Sequence, residues 1–223
     1  MSPTFDTQFQ AGVNRKLVRK VQKAIAFIAP PTVDLPESLY EGGTLIDLKA
    51  AGWLSMGLVA PEGFNFEREM EAEEVDALGF ASAIREDTTK VPRSVSMTLL
   101  QSGQKHIEEL TKGVDLSNVT QDPVTGEIVF DEPDLPINKE WRLLIIGKDG
   151  PADEEWIMGK GYGATKLSTT GAEAWGQEGA KSTEVTMKIF TDDEIGTPVR
   201  HFLAGTGALK YKDVLGYTAA VGG

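Results

Sequence analysis

The chain has 223 residues, 40% hydrophobic and 25% charged, a globular composition long enough to bury roughly 70% of its extended surface. It has no cysteine and two histidines, which excludes disulfides and cysteine-ligated metal centres and argues against a multi-histidine site. The net charge of −12 argues against an outer surface that binds nucleic acid generally, and no apolar run approaches the ~18–20 residues of a membrane span. No secretory h-region follows Met1. The 24 glycines favour a turn-rich β protein over a helical one.

Residues 1–12 are polar and read as a loose arm. Residues 14–28 fit two descriptions. On a helical wheel Leu17, Val18, Val21, Ala24, Ile25 and Ile28 share one face, and Arg15, Lys16, Arg19, Lys20 and Lys23 share the other. Residues 24–29 also fit a strand that ends at Pro30-Pro31. The first 30 residues carry these five basic residues against one acid, leaving about −16 for the remainder. A basic arm lying on an acidic surface, its own or a neighbour's, explains this asymmetry better than a membrane or nucleic-acid arm.

Residues 30–43 read as loop, and 44–54 have room for a short helical turn. The stretch 52–102 organises the chain. Its apolar run (53–60) meets an expected turn at Pro61-Glu62-Gly63. One strand with carboxylates at every second position is expected next: Glu67, Glu69, Glu71 and Glu73 point one way, Phe64, Phe66, Arg68, Met70 and Ala72 the other. Four like charges on one face repel, so that face must be wet. It is either an ordinary solvent-exposed sheet face or the lining of something large and aqueous. Residues 75–84 and 94–100 read as further strands, the second half-buried through Val95, Met97 and Leu99.

A helix is expected over 104–112, capped by Ser102, with Ile107 and Leu110 inward, Glu108 paired to Lys112, and Gly113 as its stop. Residues 115–136 form a polar loop with a possible short hairpin arm at 127–130. Residues 141–146 suit a strand buried on both faces. Asp149-Gly150 signals a hairpin with a return strand at 155–158, and 159–179 reads as an irregular strand and exposed loop. Residues 183–190 alternate with Val185, Met187 and Ile189 inward. A turn at Asp192-Asp193-Glu194 leads to a strand at 199–203, and 210–223 reads as a terminal arm. The reading is one mostly β (α+β) domain over 1–223: arm plus first strand (1–45), β core with a helix near 103–112 (46–206), and C-terminal arm (207–223).

Catalytic patterns are weak. Gly159-Lys160-Gly161-Tyr162-Gly163-Ala164 matches a loose dinucleotide pattern, but no helix follows it to hold a pyrophosphate, so a glycine-rich turn or bulge is the better reading. His106 and His201 fall on separate elements, and Asp192-Asp193-Glu194 lacks the spaced ligands of a calcium loop. A solvated turn suits it better.

Several stretches, in order, resemble the major tail protein (tail tube protein) of long-tailed, non-contractile bacteriophages, especially of actinobacterial hosts. These are Ala24-Ile25-Ala26-Phe27-Ile28-Ala29-Pro30 with Thr32 and Leu35-Pro36; Trp53 with Gly57-Leu58-Val59 and Glu62-Gly63; the strand from Asn65; Ala83-Ile84-Arg85; Thr88-Thr89; and the apolar strand and Asp149-Gly150 hairpin of 141–150. Trp53 to Val59 is longer and less tyrosine-rich than that family's pattern.

The resemblance implies a β-sandwich or barrel tube module with extended arms, in which 14–28 is arm and strand rather than helix. It implies self-assembly into stacked hexameric rings forming a channel for DNA during ejection, in a virion tail assembled in the bacterial host cytoplasm. The implied partners are the chain itself, a tape measure protein and tail terminator or baseplate proteins. DNA transits without specific binding, no membrane is involved, and neither catalysis nor a cofactor is implied. Under it, Glu67, Glu69, Glu71 and Glu73 become an acidic lumen or ring-interface strip, and Arg15, Lys16, Arg19, Lys20 and Lys23 an inter-subunit arm. An alternative is a carbohydrate-binding or adhesin-like β module on a virion surface, using Trp156, Tyr162 and Trp175 as exposed aromatics. A third is a small β-rich hydrolase using His201.

Overall fold

The computed structural model describes residues 4–101, 103–173, 175 and 179–217. Its secondary structure is mostly β. Helix α1 (Phe5–Gly12) and a 3-10 turn (Arg15–Leu17) precede strand β1 (Lys23–Ala29). Then come three two-residue strands, β2 (Tyr40–Glu41), β3 (Thr44–Leu45) and β4 (Leu54–Ser55). Four longer ones follow: β5 (Val59–Arg68), β6 (Glu71–Val75), β7 (Arg85–Lys90) and β8 (Arg93–Leu99). Helix α2 (Lys105–Lys112) leads to β9 (Glu140–Asp149), β10 (Trp156–Thr170), β11 (Thr183–Phe190) and β12 (Arg200–Ala204). Helices α3 (Thr206–Lys210) and α4 (Lys212–Leu215) end the described chain. The main sheet runs β4-β1-β9-β10-β11-β8-β5, with β12 also paired to β10. The pairs β2–β3 and β6–β7 are separate two-stranded sheets. Among the described residues no helix is long and apolar enough to cross a membrane.

Contacts divide the chain into two compact units. The larger, Ile25–Ile146 with Gly159–Phe202, holds the hydrophobic core. Alternation makes that core. In β8 the buried positions are Val95, Met97 and Leu99, and in β11 they are Val185, Met187 and Ile189. The antiparallel register sets Val185 opposite Met97 and Met187 opposite Val95, so one face of each strand contributes to a shared layer. Residues 141–146 of β9 are all buried, as a run without alternation requires. Helix α2 adds Ile107 and Leu110 and stops at Gly113, whose φ of 60° is the left-handed conformation glycine tolerates.

Several expectations are corrected. Pro61-Glu62-Gly63 is not a turn between elements. It lies inside β5, where the register slips between Val59 and Phe64 as a bulge, with Gly63 at φ +76°. The carboxylate strip is not on one strand: β5 ends at Arg68 and β6 begins at Glu71. Residues 76–84 do not continue a strand. They connect β6 to β7, closed by the Ile84 N–H donating to the Val75 carbonyl (2.9 Å), with Gly79 at φ +89°. No strand forms at 127–130, where the chain turns on Asp122 instead; its carboxylate accepts from Val124 N–H (2.8 Å) and Thr125 N–H (2.7 Å). Residues 46–53 turn without forming a helix.

Ser102 lies outside the described residues. Gln104 holds the α2 N-cap position without a side-chain bond, and the Glu108 carboxylate accepts from Gly103 N–H (3.1 Å). Lys112 pairs with Glu173 (3.4 Å), not with Glu108.

The smaller unit comprises Met1–Ala24, Gly147–Met158 and Leu203–Gly223. Within it, the hairpin expected at Asp149-Gly150 forms, with β10 from Trp156 as its return strand, but through a longer loop than two residues. Pro151 lacks the N–H a ladder needs, and a 3-10 turn at Ala152–Glu154 completes the connection. Trp156 organises this unit. Tyr211 stacks on its ring at 6.0 Å between centroids, and the Arg19 guanidinium lies over it at 3.7 Å. Gly207 sits so close that a Cβ there would meet Trp156 Nε1 at 2.2 Å. Glu154 accepts from Lys210 (2.6 Å) and Tyr211 (2.9 Å), bonds that hold its carboxyl below the usual range.

Candidate assembly surface

The β5 strand is the last in the main sheet and pairs only with β8 among the described residues, which leaves a ten-residue edge open there. The chain leaves that edge directly into the β6–β7 ribbon. Every residue of both ribbon strands is exposed. An isolated pair of strands has no face to bury and is marginal alone. The ribbon's loop is nonetheless apolar: Leu78 is fully exposed, Phe80 71% and Ile84 57%.

The four strip glutamates separate along this path. Glu67, on β5, faces Ser94 of β8 and accepts from its hydroxyl (2.8 Å) and from Asn65 Nδ2 (3.3 Å). Glu69 sits in the break between strands, where its N–H donates to the Pro92 carbonyl (3.1 Å). On the ribbon, Glu71 lies opposite Lys90 and pairs with it (3.5 Å), while Glu73 faces Asp87. Thus two glutamates have local partners and Glu73 faces another acid.

The basic segment is held by its backbone. Lys20 N–H donates to Asp149 Oδ2 (3.0 Å) and Gln22 N–H to the Lys148 carbonyl (2.9 Å). Arg19 is the exception among the five basic residues, since its guanidinium is spent on Trp156 and on the Val18 and Lys16 carbonyls. Arg15, Lys16, Lys20 and Lys23 are exposed and make no ion pair among the described residues.

The glycine-rich segment is neither turn nor bulge. It is the interior of β10, and alternate glycines give that strand a bare face. A Cβ on Gly159 would meet Leu39 at 3.2 Å, on Gly161 Leu35 at 2.9 Å, and on Gly163 Asp192 Oδ2 at 2.3 Å. Loops seat flush on the strand there. In the turn at Asp192-Asp193-Glu194, Asp193 and Glu194 are exposed as expected, but Asp192 is not. It is buried, and its carboxylate accepts from Glu194 N–H (3.0 Å) and Ile195 N–H (2.8 Å). Beside it is Arg142, only 4% exposed at its side chain, hidden in the sequence within an apolar run. The guanidinium approaches Asp192 (4.0 Å) and Asp34 (3.9 Å) and bonds Glu194, while its Nε has no hydrogen-bond partner among the described residues.

His106 Nε2 lies 2.7 Å from the Ser55 carbonyl, a structural contact, and His201 is exposed on β12. Among the described residues no three His, Cys, Asp or Glu side chains gather as metal ligands. Trp156 and Tyr162 are each 2% exposed, which corrects their assignment as exposed sugar-stacking aromatics. Only Trp175 of that trio is open, with Lys181 over its ring at 4.9 Å.

Near Trp175, Glu173 bonds Lys181 (2.5 Å). That bond first, and one from Trp175 second, pull its carboxyl from 4.5 to about 2. A depressed folded value means the stabilisation is complete above pH 4.5 and fades as pH falls toward 2. Carboxyl-resolved NMR titration is expected to place the Glu173 midpoint near 2, and Lys181→Met is expected to raise it. An unshifted midpoint in the unmodified chain would contradict this pairing.

No protein-family model and no curated protein matches the chain. Solved structures similar to it include a chain from the tail of an empty gene transfer agent particle with C6 symmetry. It is 12% identical over 64% of this chain and 86% of that one, with a TM-score of 0.33. A chain from the virion of a native gene transfer agent particle is 11% identical over 72% and 92%, with a TM-score of 0.34. A chain from the six-fold symmetrised baseplate of the anti-feeding prophage is 6% identical over 82% and 93%, with a TM-score of 0.40.

Proposed function

We propose that this chain is a structural virion protein of a bacteriophage tail, the tube subunit that assembles into stacked hexameric rings around a DNA channel. The observation that carries this reading is the open ten-residue β5 edge continuing into a fully exposed ribbon with an apolar tip. In a lone subunit both are hazards. Neighbouring copies that pair with the edge and cover the tip remove them. The ordered resemblance of residues 14–205 to tail tube proteins supports the same reading.

The net charge of −12 suits a wall past which a polyanion slides without adhering. Because the strip is broken at residues 69–70, its two halves need not share a role. Glu67 belongs to the sheet edge, Glu71 and Glu73 to the ribbon. Tape measure and terminator or baseplate proteins are the further partners that this role requires.

Negative-stain microscopy of the concentrated full chain is expected to show rings or tubes with an axial hole. A strictly monomeric protein at tens of milligrams per millilitre, by sedimentation, would sink the proposal.

A further inference from the structure

The β6–β7 ribbon carries six acids and two bases between residues 71 and 90. Both bases are spent locally, Arg85 on Asp87 (2.5 Å) and Lys90 on Glu71 (3.5 Å). Glu73, Glu74, Asp76 and Glu86 are left without an ion-pair partner among the described residues. The register worsens this, since Glu73 lies opposite Asp87 and Glu74 opposite Glu86. Like charges directly opposed destabilise a strand pair, and this pair has no buried face to compensate. The ribbon is therefore built to be stabilised by a cationic partner.

The chain holds a matching element. Arg15, Lys16, Lys20 and Lys23 are four exposed cations with no ion-pair partner among the described residues. Their backbone is already tethered through Lys20 and Gln22, and Arg19 is locked over Trp156. Ordering that segment on binding costs less than ordering a free tail.

Taking the self-assembling role as given, we propose that this basic segment of one copy docks on the β6–β7 ribbon of a second copy, its four cations meeting Glu73, Glu74, Asp76 and Glu86. The partner is a second copy because neither set has an ion-pair partner among the described residues, the charges match four to four, and every copy supplies both. Nucleic acid suits the segment less well, because the whole chain is net −12 and repels polyanions.

Three full-length variants test this by sedimentation velocity, with far-UV circular dichroism confirming that each is folded. They are the arm reversal R15E/K16E/K20E/K23E, the ribbon reversal E73K/E74K/D76K/E86K, and a chain carrying both. Each single reversal is expected to weaken self-association at least about tenfold at ~0.1 M salt. Combining them in one chain, or mixing the two singly reversed chains, is expected to restore it to within about threefold. Wild-type association is expected to fall as salt rises to ~0.5 M, where screening shortens the reach of these exposed charges.

Wild-type assembly with both single reversals associating equally well would overturn the docking and leave the tail-subunit reading standing. Folded variants that lose association without rescue by the combined reversal would also overturn it. So would an arm reversal that abolishes retention of a DNA duplex while self-association is unchanged. A wild-type chain that stays monomeric would overturn both.

Discussion

Arg142→Met is expected to lower the free energy of unfolding by about 3 kcal/mol, read as a fall in the urea midpoint at constant m-value. The guanidinium is 4% exposed and sits among Asp34, Asp192 and Glu194. Removing it strands the carboxylates, but not equally. The side chains of Asp34 and Glu194 are 96% and 65% exposed and recover water, so the loss falls at the lower end for a broken buried pair. Asp192, at 8%, does not recover water. Its two backbone donors remain, yet its charge then lacks a counterion. The double variant Arg142→Met with Asp192→Asn is expected to regain part of the loss, since it removes the stranded charge along with its partner. A single variant with an unchanged midpoint would show that the cluster is electrostatically idle.

That cluster marks where reading the sequence stops. Periodicity reports which face of an element is buried. It served well for Val95, Met97 and Leu99, for the α2 pair Ile107 and Leu110, and for the unbroken run of β9. Periodicity does not report partners. One arginine in an apolar run looks like noise until a turn 50 residues later is folded against it, and Asp192 looks solvated for the same reason. The alternation of glutamates from 67 to 73 was legible, but the break at 69–70 was not. It comes from a change of strand partner, β8 for β5 and β7 for β6, which no local pattern encodes.

The exposed parts show a related limit. The basic segment stood out by composition alone, and the acid of 67–73 by its alternation; the ribbon as a whole did not. What composition lacked was local bookkeeping: Arg19 is consumed by Trp156, Arg85 by Asp87 and Lys90 by Glu71. Subtracting those pairs leaves four unmatched charges of each sign. That residue of unmet interactions, on a ribbon too thin to have a core, is what the proposed docking of a second copy would satisfy.

Gly163→Ala is expected to cost about 2–3 kcal/mol, a large penalty for one methyl group on a strand. A strand interior ordinarily gains by this exchange, because alanine loses less backbone entropy than glycine on folding. Here the Cβ would stand 2.3 Å from Asp192 Oδ2 and 2.4 Å from its Cγ. A long side chain would swing clear cheaply. Asp192 is short, buried and fixed by the Glu194 and Ile195 amides on one side and Arg142 on the other, so the whole turn must lift off β10. The penalty is therefore conditional on that turn. Once Arg142→Met has loosened it, the added methyl is expected to cost about 1 kcal/mol less, a coupling that a double-mutant cycle on urea midpoints resolves. Strict additivity would mean that the glycine face and the buried arginine act independently, and that Asp192 does not hold the turn for both.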